Sequence, residues 1–198
     1  MLRLVQCLAL GAILMIGGCG EPDDEAFTPG PSAGWSTAGC EIARQPESIT
    51  VGGLTMATTP AALDAAIARI DQGGRQDFKD SYAGVEVDQD RVRAVLYRVP
   101  SARFDDFIRQ AAGNTCIVVR NAPHSAADLS VWHDRVVADL SFWTARGIRI
   151  VTIGARHDGT GVEVGTQDGD RARLELPARY GSRAPLVILD EGPVRPFS

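Results

Sequence analysis

From residue 59 onward the apolar positions alternate between helical and strand periods. After Thr59-Pro60, a cap with a first-turn proline, Leu63, Ala66, Ile67 and Ile70 recur at helical spacing, and Gly73-Gly74 is the expected stop. Val85 and Val87 then alternate with polar neighbours, Asp88-Gln89-Asp90 turns, and Val92 to Val99 runs back, which predicts a hairpin. Ser101 is placed to cap a second helix with Phe104, Phe107, Ile108 and Ala111 on one face, ended by Gly113. Cys116 to Arg120 is a short strand of buried character.

The second half repeats that order. Ser125 caps the longest predicted helix, 125–146, in which Leu129, Trp132, Val136, Leu140 and Trp143 form a stripe that Gly147 terminates. Ile148 to Ala155 predicts a strand, His157 to Thr160 a turn, and Val162 to Val164 the return. Asp168 or Asp170 caps a helix toward Tyr180, which Pro177 should kink or shorten, and Pro185 to Leu189 is the last strand. Residues 81–120 and 148–190 thus both read hairpin, helix, strand. The expected fold class is α+β: two hairpin-helix-strand units of mainly antiparallel sheet, joined by a long amphipathic helix. Neither unit should bury its sheet alone, so the two are expected to share a core or pack end to end.

The first nineteen residues carry a different signal. Arg3 precedes an apolar run from Leu8 to Ile16, too short for a spanning helix, and Ile16-Gly17-Gly18-Cys19 reads as a bacterial lipobox. Cys19 would be acylated and become the mature N-terminus, with residues 1–18 a cleaved signal. Several acyl chains hold a protein stably on a bilayer. The acidic, proline-bearing stretch after Cys19 suits a tether over 19–39. Residues 40–192 then form a single α+β domain, and 193–198 a tail. The expected location is the cell membrane, lipid-anchored and facing outside the cytoplasm.

Composition narrows the partners. Loss of Arg3 with the signal takes the formal net charge from −5 to −6, which argues against nucleic acid. Lys79 is the one lysine among 20 basic residues, a bias assigned to coding rather than to binding. With Cys7 discarded and Cys19 acylated, Cys40 and Cys116 remain, and an even pair in an exported domain favours a disulfide over two buried thiols.

The stretch SYAGVEVDQDRVRAVLYRV, a helix, and CIVVRNAPHSAADLSVWHDRVVADLSFW resemble the pro-domains of secreted bacterial chymotrypsin-like peptidases of the α-lytic type. The resemblance covers about 110 residues and rests on apolar pattern, a "FAG"-like hairpin and a turn into a long helix. In that family the pro-domain assists folding of its protease and inhibits it. No Gly-Asp-Ser-Gly motif is present here, and the chain stops eight residues after Asp190. The resemblance therefore implies a stand-alone binding domain rather than a folding aid in cis.

Catalytic constellations are sparse. His124, His133 and His157 offer no i, i+4 pair, and no metal or other cofactor is expected. Gly-x-Ser-x-Gly is missing, and Ser101 and Ser125 are explained as caps. Asp105-Asp106 point apart on a helix and suit its first turn. The loop 120–125 holds Arg120, Asn121 and His124 beside a helix N-terminus, a place suited to anions, and the hairpin carrying His157 would lie nearby if the halves are pseudo-symmetric. These four are the candidate binding residues. The expected function is a non-enzymatic, membrane-anchored lipoprotein that binds a protein or an envelope component; the alternative is an envelope-acting hydrolase or transferase centred on that loop.

Overall fold

The computed structural model describes residues 34–192. It is an α+β fold of five α-helices and three sheets. The first repeat comprises α1 (Ala61–Asp77), the hairpin β4 (Tyr82–Asp88) and β5 (Arg93–Arg98), α2 (Ala102–Ala112) and β6 (Ile117–Asn121). The second comprises α3 (Ala126–Ala138), α4 (Leu140–Ala145), the hairpin β7 (Ile150–Ala155) and β8 (Val162–Thr166), α5 (Gly169–Tyr180) and β9 (Leu186–Asp190). Before them lie a short β1 (Trp35–Ser36) and a separate hairpin, β2 (Glu47–Val51) and β3 (Leu54–Thr58).

The repeat is therefore αββαβ, longer by one helix than its sequence pattern suggested. In each copy the hairpin is antiparallel, and a helical crossover brings the third strand back parallel to the second. The likeness reaches the register. Ala83 is bypassed between Tyr82↔Arg98 and Gly84↔Tyr97, and Val151 likewise between Ile150↔Thr166 and Thr152↔Gly165. A bulge at one position in both hairpins increases the local twist at the same corner of each sheet.

Each repeat buries its own sheet, contrary to the expectation that neither could alone, and the described residues form two cores rather than one. The first is Ala94, Leu96, Ile117 and Val119 under Leu63 and Ile70 of α1 and Phe104 and Ile108 of α2. The second sets Val162 and Val164 under Leu129, Val136, Trp143, Ala172 and Leu176. Two helices per sheet supply enough cover, because the helix before each hairpin belongs to that hairpin's repeat. The predicted joining helix 125–146 is thus the opening of the second repeat.

That helix is also broken. Asp139 has φ −96° and ψ 7° between α3 and α4. Its carboxylate accepts from Arg179 Nε at 2.7 Å and from the Tyr180 hydroxyl at 2.9 Å, while Trp143 Nε1 donates to Tyr180 at 2.9 Å. These bonds to α5 fix Asp139 and turn the stripe, so Leu140 points out while Trp143 is buried. The Arg179 guanidinium holds the Asp139 carboxyl below the usual carboxylate range.

Further boundaries differ from the sequence reading. Helix α1 runs through Gly73-Gly74 to Asp77, because those glycines are packing notches: a Cβ on Gly73 would meet the Phe107 ring, and one on Gly74 the Tyr82 ring. Its N-cap is Pro60, without a side-chain bond; Thr59 instead accepts from Gln89. Helix α5 continues one turn past Pro177 to Tyr180. Ser101 and Ser125 cap as expected, the latter in a capping box with Asp128.

The folded part begins earlier than Cys40. Strand β1 pairs with β6 through Trp35↔Val119 and Ser36↔Val118, giving the order β1-β6-β5-β4. Buried Thr37 donates to the Thr115 carbonyl at 2.7 Å and accepts from the Ile117 amide at 2.9 Å. Cys40 and Cys116 are disulfide-bonded, with Cα atoms 4.2 Å apart. Residues 35–39, expected in the tether, are edge strand β1 and the start of a 3-10 helix (Ala38–Glu41), and β1 covers an edge of β6 that would otherwise be open.

Candidate functional site

Strand parity divides the first sheet. Ala94, Leu96 and Arg98 of β5 face the helices with Ile117, Val119 and Asn121 of β6, whereas Arg93, Val95 and Tyr97 face outward with Val118 and Arg120. Gly84, Glu86 and Asp88 of β4 join that outer face by their pairing.

Asn121 therefore turns inward, and its carbonyl oxygen accepts from Arg98 Nη1. Arg98 is 2% exposed, and it also grips Asp105 through Nε at 2.6 Å and Nη2 at 3.1 Å. Asn121 is thus a partner of a buried ion pair, and its place in a binding loop is corrected. Asp105 serves the same pair rather than only the helix dipole.

Of the other three candidates, His157 and the His124 backbone lie together at the junction of the repeats, and Arg120 stands beside Tyr97 by its strand pairing. The hairpin tip 156–160 lies on the first sheet. Gly159 has φ +71°, and a Cβ there would meet the His124 carbonyl at 2.5 Å, Ala122 at 2.6 Å and Ala83 at 3.1 Å. Gly84 admits the His157 backbone with similar closeness. His157 stands edge-on to Tyr97, ring centres 5.7 Å apart, and its Nε2 approaches Glu86 at 3.7 Å. The Tyr97 hydroxyl donates to Glu86 at 3.3 Å. Burial and the Glu86 charge push the Tyr97 hydroxyl pKa up. Within the tip, Asp158 accepts from Arg156 and Thr160, and the Arg156 bond holds its carboxyl well below the usual range. Replacing Gly159 with valine is expected to cost about 1–3 kcal/mol by urea denaturation, since both overpacking and positive φ oppose it. Unchanged stability would mean that the tip does not rest on Ala83 and Ala122.

Arg120 opens onto a second feature of the outer face. A depression of about 610 Å³ runs beside β1, lined by Ser36, Val118 and the guanidinium-bearing Arg91, Arg93 and Arg120. Arg91 and Arg93 both bond Asp88, whereas Arg120 has no carboxylate partner among the described residues. The arrangement offers fixed donors to a carboxylate or phosphate. Parity counting along Arg93 to Arg98 puts Arg93 and Tyr97 on one face, but only the β5–β6 register sets Arg120 beside them. Without the hairpin's register, Glu86 could not be added.

His133 lies apart on α3, beside Asp134. Among the described residues no group of three or more histidine, cysteine or carboxylate side chains is placed to hold a metal, and no helix is long and apolar enough to cross a membrane. No family model, curated protein or solved structure matches the chain.

Proposed function

We propose that this chain is a lipid-anchored extracytoplasmic protein that acts by binding a protein or envelope component, without catalysis. The carrying observation is Ile16-Gly17-Gly18-Cys19 at the end of a short apolar run. Those residues lie outside the described part of the structure. Support from the described part is the Cys40–Cys116 disulfide, which suits an oxidising compartment. The arginine-lined depression on the outer face of the first sheet is the assigned binding surface, fitted to an anionic group on the partner. The pro-domain-like pattern favours a protein as that partner. Nucleic acid is a poor fit to a chain of net charge −5.

The enzymatic alternative, a hydrolase or transferase near the 120–125 loop with His157, would draw also on Glu86 and Tyr97, which lie beside His157. Glu86 and His157 side chains are more than half exposed, so they act in water rather than in the excluded site that strengthens electrostatic catalysis.

Replacing Cys19 with alanine is expected to move the protein out of the membrane fraction or leave its precursor uncleaved. Membrane retention with normal processing would overturn the anchor. Arg120→Glu should weaken retention on an isolated envelope fraction at least about tenfold by reversing the charge of a direct contact; equal retention would remove the depression from the proposal.

A further inference from the structure

The hairpin β2–β3 stands alone. Its strands pair only with each other, in a two-stranded sheet turned by Gly52-Gly53, both at positive φ. The register Ile49↔Met56 and Val51↔Leu54 puts four large apolar side chains on one face, with Thr50 bonded to Thr55 on the other. Exposure rises toward the tip, from 49% and 50% at Ile49 and Met56 to 60% and 70% at Val51 and Leu54. An isolated two-stranded hairpin is marginal in water, and a contiguous apolar face marks a contact surface.

We propose that the tip of this hairpin inserts into the interfacial layer of the bilayer to which the chain is anchored, an inference that rests on acylation of Cys19. Three observations select a lipid surface. From Ser48 to Leu63 the sequence has no charged residue, so the tip carries no ion into the headgroup region. The face is four side chains wide, far smaller than the roughly 800 Å² per partner of a stable protein interface. A bilayer needs no such area when an anchor already holds the protein there. Finally, the chain from Cys19 to Gly34 reaches at most about 50 Å, and only six residues lie between Cys40, held by the disulfide, and the hairpin's start at Glu47, so the hairpin begins within about 25 Å of that bridge. Tether and hairpin would then make two contacts with one membrane and fix the domain's orientation above it.

The test uses the full acylated chain in vesicles of phosphatidylethanolamine and phosphatidylglycerol. A polarity-sensitive fluorophore is placed on Leu54→Cys, and for reference on Leu174→Cys, an exposed site on α5. Blue-shifted emission and quenching by headgroup-proximal spin-labelled lipid are expected at 54 and not at 174. Adding Val51→Asp should lower the inserted-to-free ratio at least about tenfold, because a carboxylate must then enter the interface. Folding should survive, since the hairpin forms no sheet with the body, and unchanged thermal unfolding would confirm it. Equal solvation at 54 and 174 overturns the proposal. So does shielding of residue 54 that appears only when envelope protein is added, which would make the partner a protein. Mass measurement of the N-terminal peptide separates the premises: an unacylated Cys19 removes the anchor, whereas an acylated chain with a solvated residue 54 removes only the insertion.

Discussion

Asp105→Ala is expected to destabilise the protein by about 3–5 kcal/mol, the cost of leaving a buried charge without its partner. Arg98 is 2% exposed at the end of β5, and Asp105 receives two of its donors. Asn121 alone cannot neutralise it. Urea denaturation of the variant measures the loss. The joint replacement Arg98→Met with Asp105→Leu should recover most of it, because a buried pair removed whole is often nearly neutral. A loss under about 1 kcal/mol in Asp105→Ala would show that water reaches the guanidinium.

Removal of the disulfide should rank beside it. Cys40 and Cys116 are separated by 76 residues, and the chain-entropy relation assigns a loop of that length about 4 kcal/mol. Cys40→Ala with Cys116→Ala should lose about that much in urea denaturation and become cleavable near Arg44 by trypsin. At present Arg44 is held against the Gly39 and Asn114 carbonyls. A stability change near zero would place the constraint on β1 and Thr37 instead.

Much of this fold was legible because each repeat states it twice. Ser101 and Ser125 announced their helices through cap chemistry, and Leu63, Ala66 and Ile70 kept a clean helical period. What failed depended on long-range partners. Asp139 breaks its helix only because Arg179 and Tyr180 lie across from it, and Gly73-Gly74 prolong α1 only because two rings fill the notches. The hairpin β2–β3 passed unread although Ile49, Val51, Leu54 and Met56 alternate around Gly52-Gly53. At the site, loop 120–125 and the hairpin tip do converge, but Asn121 belongs to the interior for a reason of parity. One residue along a strand reverses its face, and single-strand patterns do not fix that choice.

The position of β1 gives the domain a mechanical property. Tension on the chain ahead of Gly34 arrives at β1, whose two pairs with β6 would give way first. Peeling can then proceed no further than Cys40, where the covalent bridge passes the load to Cys116 at the head of β6. The slack released is the contour of Gly34 to Gly39, about 20 Å, and the loop that the bridge closes, residues 41–115, is shielded. A protein pulled by its N-terminal end would yield one short extension and then hold until the bridge is reduced or β6 and the elements after it give way.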